Sequence, residues 1–199
     1  MATHEPETRV RLTIGRKDRG RALTSEEFAD ADYEEPWKYE RARGRLIVMP
    51  PDGGGHVETT SPWLKRLVVY WDQHPEAVHQ VVPSAWVRVD GGTDRIGDIG
   101  VYLAQGPPRP EVPDCVPELI FEIVSPGRVS RDRDYREKRA DYHRLGVREY
   151  VIVDRFKRQV TVLTHAPEGY EERVLTPPGV YESALLPGLA VPLAEVLPS

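Results

Sequence analysis

Between Pro117 and Leu145 the chain reads PELIFEIVSPGRVSRDRDYREKRADYHRL, and no other stretch restricts the possible folds as much. Glu118 to Val124 is short, apolar and rich in branched side chains, the pattern of a buried strand, yet Glu122 sits near its end. Ser125-Pro126-Gly127 breaks the strand. From Asp132 to Leu145, Tyr135, Lys138, Tyr142 and Leu145 recur at helical spacing, which predicts a helix whose packing face carries a lysine. Burying a carboxylate or an ammonium alone costs several kcal/mol. Buried together, with a third partner such as a metal, the two are tolerable.

The 199 residues suit one domain with a sizeable core. We expect an N-terminal arm over residues 1–22 and a single domain over 23–199. The 19 prolines and 16 glycines point to turns and strands rather than a helical bundle. No apolar run approaches the ~18 residues of a membrane span, and the N-terminus lacks an apolar leader core. A cytoplasmic protein with no membrane partner is expected. The lone cysteine, Cys115, excludes an internal disulfide and a cysteine-rich zinc site. A net charge of −5 argues against a protein that coats nucleic acid nonspecifically. It leaves room for an enzyme with a local basic surface, since arginines and lysines cluster from Arg128 to Arg144.

Along the chain, Arg9 to Ile14 alternates like an edge strand. Thr24 and Glu27 fit a capping box opening a short helix. Arg43-Gly44 separates two strand-like runs and predicts a hairpin, with Glu40 in its first strand, a weaker candidate on its own because acids in hairpins are usually solvated. Pro50 to Gly55 is a loop. His56 to about His74 carries an amphipathic stripe of Val57, Leu64, Leu67, Val68 and Trp71. Strands are predicted over Gln80–Val89, Arg95–Leu103, Arg148–Asp154, Gln159–Thr164 and Tyr170–Leu175, with Gly146 ending the central helix. A tail from Leu185 packs back on the sheet. This order predicts an α/β or α+β fold: a central mixed sheet flanked by helices.

Asp98 and Glu122 are the sharpest candidates, each an acid inside an otherwise apolar strand. In regular strands Asp98 shares a face with Ile96, Gly100 and Tyr102, and Glu122 with Ile120 and Val124. If those faces coincide, two carboxylates meet and require a cation; oxygen ligands suit Mg²⁺ or Mn²⁺. The alternative is that each acid pairs with an arginine. Lys138, facing the sheet, reaches toward Glu122, or else snorkels at the helix edge. His56 is an accessory candidate for phosphate or for a cap. Gly53-Gly54-Gly55 lacks the context of a phosphate loop.

These residues, taken in order, carry a resemblance. Tyr39-Glu40 before Gly44-Arg45-Leu46, His56, Arg95-Ile96-Gly97-Asp98, PELIFEIVSP over 117–126, Lys138, and Gly146 to Asp154 resemble the Uma-type restriction-endonuclease family of the PD-(D/E)XK nuclease superfamily, over about Thr24 to Leu193. The resemblance implies a restriction-endonuclease-like fold and a Mg²⁺-dependent endonuclease acting on DNA. It implies Asp98 and Glu122 as metal-binding acids, Glu40 as an additional acid, and Lys138 as the lysine on the following helix. His56 matches a recurring histidine of unassigned role. Gly97 stands where the family usually has proline, Glu118 where it often has aspartate, and Val124 where the wider superfamily keeps its lysine. A catalytically inactive nuclease-fold module that binds nucleic acid or protein is the alternative. Cutting both strands of a duplex needs two active sites, so a homodimer is expected.

Overall fold

The computed structural model describes residues 11–105 and 110–197, in two compact units, 1–51 with 90–93, and 52–89 with 94–199. Residues 9 and 10 of the expected edge strand lie outside the described residues; β1 is Thr13–Ile14, paired parallel with β2, Asp32–Tyr33. In the same unit α1 (Ser25–Asp30) opens with the expected capping box: Thr24 Oγ1 accepts the Glu27 N–H at 3.1 Å, and Glu27 Oε2 accepts the Thr24 N–H at 2.8 Å. β3 (Lys38–Ala42) and β4 (Arg45–Met49) form the predicted hairpin. Both turn residues, Arg43 and Gly44, have positive φ, 52° and 73°, as a two-residue turn matching strand twist requires.

The second unit is built on a sheet with strand order β10-β9-β8-β7-β6, and β5 pairs with β6. β5 is Val78–Asp90, β6 Thr93–Leu103, β7 Leu119–Ile123, β8 Glu149–Asp154, β9 Gln159–Ala166 and β10 Gly169–Leu175. β7 and β8 run parallel, whereas β6–β7, β8–β9 and β9–β10 are antiparallel, so the sheet is mixed, as expected. α2 (Gly54–Gln73) lays Trp63, Leu67 and Tyr70 on one face, against Ile99, Phe121, Ile123 and Val151. The tail joins that face through Tyr181, Leu186 and Leu189. There Tyr181 (2.5 Å) and Ser183 (3.1 Å) donate to the buried Glu149 carboxylate, satisfying a charge that apolar packing alone would leave stranded.

A parallel β7–β8 pair needs a crossover, and the predicted helix supplies it. That helix starts four residues earlier than its apolar period suggests. α3 (Arg128–Asp132) leads through a π turn over Arg133–Lys138 into α4 (Arg139–Arg144). Gly127, at φ 101°, turns the chain into the first helical turn, where Val129 is 80% exposed and no packing stripe marks the sequence. The helix ends at Gly146 in a Schellman arrangement: the Val147 N–H reaches Tyr142 O and the Gly146 N–H reaches His143 O, both at 3.0 Å. Tyr142, with Tyr135 and Leu145, packs on the second face of the sheet beside Ile120, Val124, Tyr150 and Ile152.

Candidate active site

Glu122 lies on β7 between Ile120 and Val124, on the face covered by the crossover helix, and is 3% exposed. Lys138 ends the π turn and is 2% exposed. Its ammonium donates to Glu122 Oε1 at 2.7 Å and to the Ile96 carbonyl at 2.8 Å. Tyr142, one turn further, donates its hydroxyl to the same Oε1 at 2.9 Å. Lys138 is therefore a buried partner of Glu122 and not a snorkelling edge residue. Burial pushes the Glu122 carboxyl up. The Lys138 ammonium pulls it down, but Asp98 and Asp134 push it up again, and the net position is about 8.

Asp98 reaches the same strand by a different route. The β6–β7 ladder ends at Ile99 opposite Phe121, and the next amide, Ile123 N–H, donates to Asp98 Oδ2 at 2.7 Å. A Cβ at Gly97 would meet Ile120 Cγ2 at 2.6 Å, so Gly97 lies on the face of Ile120, as Gly100 does by pairing with Ile120. Residues three apart cannot share a face of an unbroken pleat. The alternation slips between them, at Asp98, and the expectation that Asp98 follows the regular face of Gly100 and Tyr102 is corrected accordingly. The same contact explains Gly97: any side chain there would displace Ile120.

His56, in the first turn of α2, is buried and places Nε2 3.1 Å from Asp98 Oδ2. Its Nδ1 lies 3.3 Å from Thr60 Oγ1 and 3.5 Å from Asp52 Oδ1. Burial pushes the Asp98 carboxyl up, but the His56 bond and charge, the Lys138 charge and the Ile123 N–H outweigh it and hold it below the usual carboxylate range. Among the described residues, one group can hold a metal ion with ligand atoms within 4.8 Å of one another: Asp52, His56 and Asp98. Asp52 and Tyr142 are absent from the sequence-based set. The i, i+4 spacing of Asp52 and His56 is a signal only once the helix start is known. Glu40 lies in β3 of the N-terminal unit opposite Ile47 and is fully buried rather than solvated. Arg128, Arg131 and Arg133, in the basic cluster, each have a carboxylate nearby, at Asp132 (3.7 Å), Asp154 (3.9 Å) and Asp134 (3.7 Å).

The donor set tests whether a metal fits. Carboxylate oxygens from Asp52 and Asp98 are hard ligands suited to Mg²⁺ or Mn²⁺, and His56, the one imidazole, is compatible with Mn²⁺; Glu122 lies outside this group. The residues fit such an ion.

The sequence model of the Uma2 family, described as "Putative restriction endonuclease", matches residues 25–194. The chain belongs to the Uma2 family. Among solved structures, this Uma2 member is similar to one described as a "putative nuclease belonging to DUF820" from Anabaena variabilis. The two share 17% identity and a TM-score of 0.71, over 88% of this chain and 97% of that one, a likeness of fold. No curated protein matches. No helix among the described residues is long and apolar enough to cross a membrane.

Proposed function

We propose that this Uma2 protein is a Mg²⁺- or Mn²⁺-dependent endonuclease that hydrolyses DNA phosphodiester bonds. The observation that carries the reading is the 2.7 Å contact between Lys138 Nζ and Glu122 Oε1. It sets an ammonium from the helix beside the strand acid, although position 124, where the superfamily lysine would stand, is a fully buried valine. Membership in the family and the likeness of fold to a nuclease structure support the same reading.

Asp98 and Glu122 would hold the metal, which supplies Lewis acidity toward the phosphate and acidifies bound water. Lys138 would bring its side-chain nitrogen to a water-poor site, where it would orient the attacking water and stabilise charge developing on the phosphate. Tyr142 holds Oε1 in place, and His56 holds Asp98 through Oδ2. A supercoiled-plasmid nicking assay with Mg²⁺, with Mn²⁺ and with chelator tests the proposal. Metal-dependent nicking by the wild type, lost in Asp98→Asn, is the expected result. A protein that never nicks under these conditions is a nuclease-fold binding module instead.

A further inference from the structure

We infer that Arg155 is a phosphate-binding residue, which takes a backbone phosphate of the nucleic-acid substrate beside the Asp52–His56–Asp98 cluster. The inference rests on the nuclease reading for its substrate class. Of the three consecutive glycines before His56, Gly53 and Gly54 have open space where a Cβ would stand. Gly55 does not. A Cβ there would lie 2.5 Å from Arg155 Nη1, 2.8 Å from Cζ and 3.0 Å from Nη2. The guanidinium occupies the place of the missing side chain, one residue from the histidine that touches Asp98.

The turn between β8 and β9 is built to hold that guanidinium without neutralising it. Asp154, fully buried, is the adjacent carboxylate, but its bonds go elsewhere. Oδ1 accepts the backbone N–H groups of Phe156 (3.0 Å) and Lys157 (3.1 Å), and Oδ2 accepts Tyr135 Oη (3.3 Å). Arg155 has no carboxylate or hydrogen-bond partner among the described residues, and its Nε is buried and unbonded. Its contact is with the exposed Phe156 ring, 4.3 Å from Cζ to the centroid, and Arg131 lies over the same ring at 5.3 Å. Stacking of this kind holds a guanidinium flat while leaving its N–H donors free for an anion. A planar fork binds phosphate through two parallel hydrogen bonds.

Electrostatics supplies the reason for such a residue. A chain with net charge −5 and a cluster of acids in its site repels a phosphodiester. A fixed, uncompensated cation next to the acids reverses the local sign where the phosphate must sit.

Fluorescence anisotropy of a labelled oligonucleotide in chelator, titrated over a range of salt, tests this directly. Arg155→Met should weaken binding by roughly tenfold and lower the slope of log K against log[salt] by about 0.7–0.9, the share of one phosphate contact. Arg155→Lys should keep the slope and recover only part of the affinity, because the point charge remains while the fork is lost. Gly55→Ala, which leaves the charge but displaces the guanidinium, should also weaken binding, with thermal melts confirming that each variant folds. An Arg155→Met protein with wild-type affinity and slope overturns the inference, as does a wild type that binds no oligonucleotide. If the wild type nicks plasmid and Arg155→Met still binds like it, only the arginine assignment falls. If the wild type never nicks but Arg155→Met weakens binding, the arginine assignment stands and the nuclease reading falls.

Discussion

Replacing Lys138 by methionine keeps the length of the side chain and removes its charge. The ammonium's acceptors include Glu122 Oε1 and Ile96 O, and both are left in a dry interior, Oε1 with the Tyr142 hydroxyl. Breaking a buried ion pair by removing one partner costs about 3–5 kcal/mol when the survivor stays charged. Glu122 need not stay charged. Its carboxyl already titrates near 8 with the lysine present, and without the lysine it rises further. At about pH 6 the variant therefore loses only hydrogen bonds, on the order of 1–3 kcal/mol. At about pH 9 the loss grows toward the full cost of an unpaired charge. Nicking, compared under conditions where both proteins are folded, should fall by roughly 10² or more, the scale of one positioned acid–base group. Metal binding, read as a thermal shift, should be nearly intact. Adding Val124→Lys, on the same strand face as Glu122, should restore part of the rate. Chemical denaturation at the two pH values and single-turnover nicking check both halves. A Lys138→Met protein that cuts as fast as the wild type refutes the mechanism and leaves the lysine as a buried counter-charge.

Millimolar Mg²⁺ or Mn²⁺ should raise the melting temperature by mass action, and Asp98→Asn, which keeps an acceptor for the Ile123 N–H, should abolish the rise; no shift in the wild type removes the metal site. Without metal, folded Glu122 keeps its proton up to about 8 while the unfolded chain releases it near the ordinary 4.5, so the unfolded state binds fewer protons and stability falls as pH rises through that window. Glu122→Gln should flatten this slope in denaturation curves recorded across the same pH range, and an unchanged slope assigns it to another group. Light scattering should find a homodimer, since one chain carries one site and a duplex has two strands; a monomer at high protein concentration counts against double-strand cutting.

What was legible in the sequence was what local chemistry dictates. The Arg43-Gly44 turn, the Thr24 cap, the Gly146 stop and the apolar run around Glu122 each announce themselves within a few residues. Lys138 could be placed on the packing face because a helical period needs only its own neighbours. Contacts between distant segments were not legible. The slip in the pleat at Asp98 depends on Ile120 and Ile123 across the ladder, and Asp52 joins His56 only because α2 starts at Gly54. The first turn of the crossover helix was missed because an exposed turn has no apolar period. Glu40 defeated the rule that hairpin acids are solvated, since its strand is buried on both sides.

A lysine on β7 would be as permanent as the sheet itself. Lys138 instead arrives on a helix, which packing and a few polar contacts hold to the sheet. The helix is held by Tyr142 in the core, by Arg95 clasping Asp141 and Glu137 from β6, and by Lys138 itself. Its π turn, a rare variant of helical winding, lies where the ammonium is carried. Local opening of such an element requires less free energy than unfolding the whole chain. Each opening would take the ammonium out of the site while leaving the acids on their strands. On the proposed mechanism the active fraction is the molecules with this helix docked, and heat should silence nicking before the sheet melts.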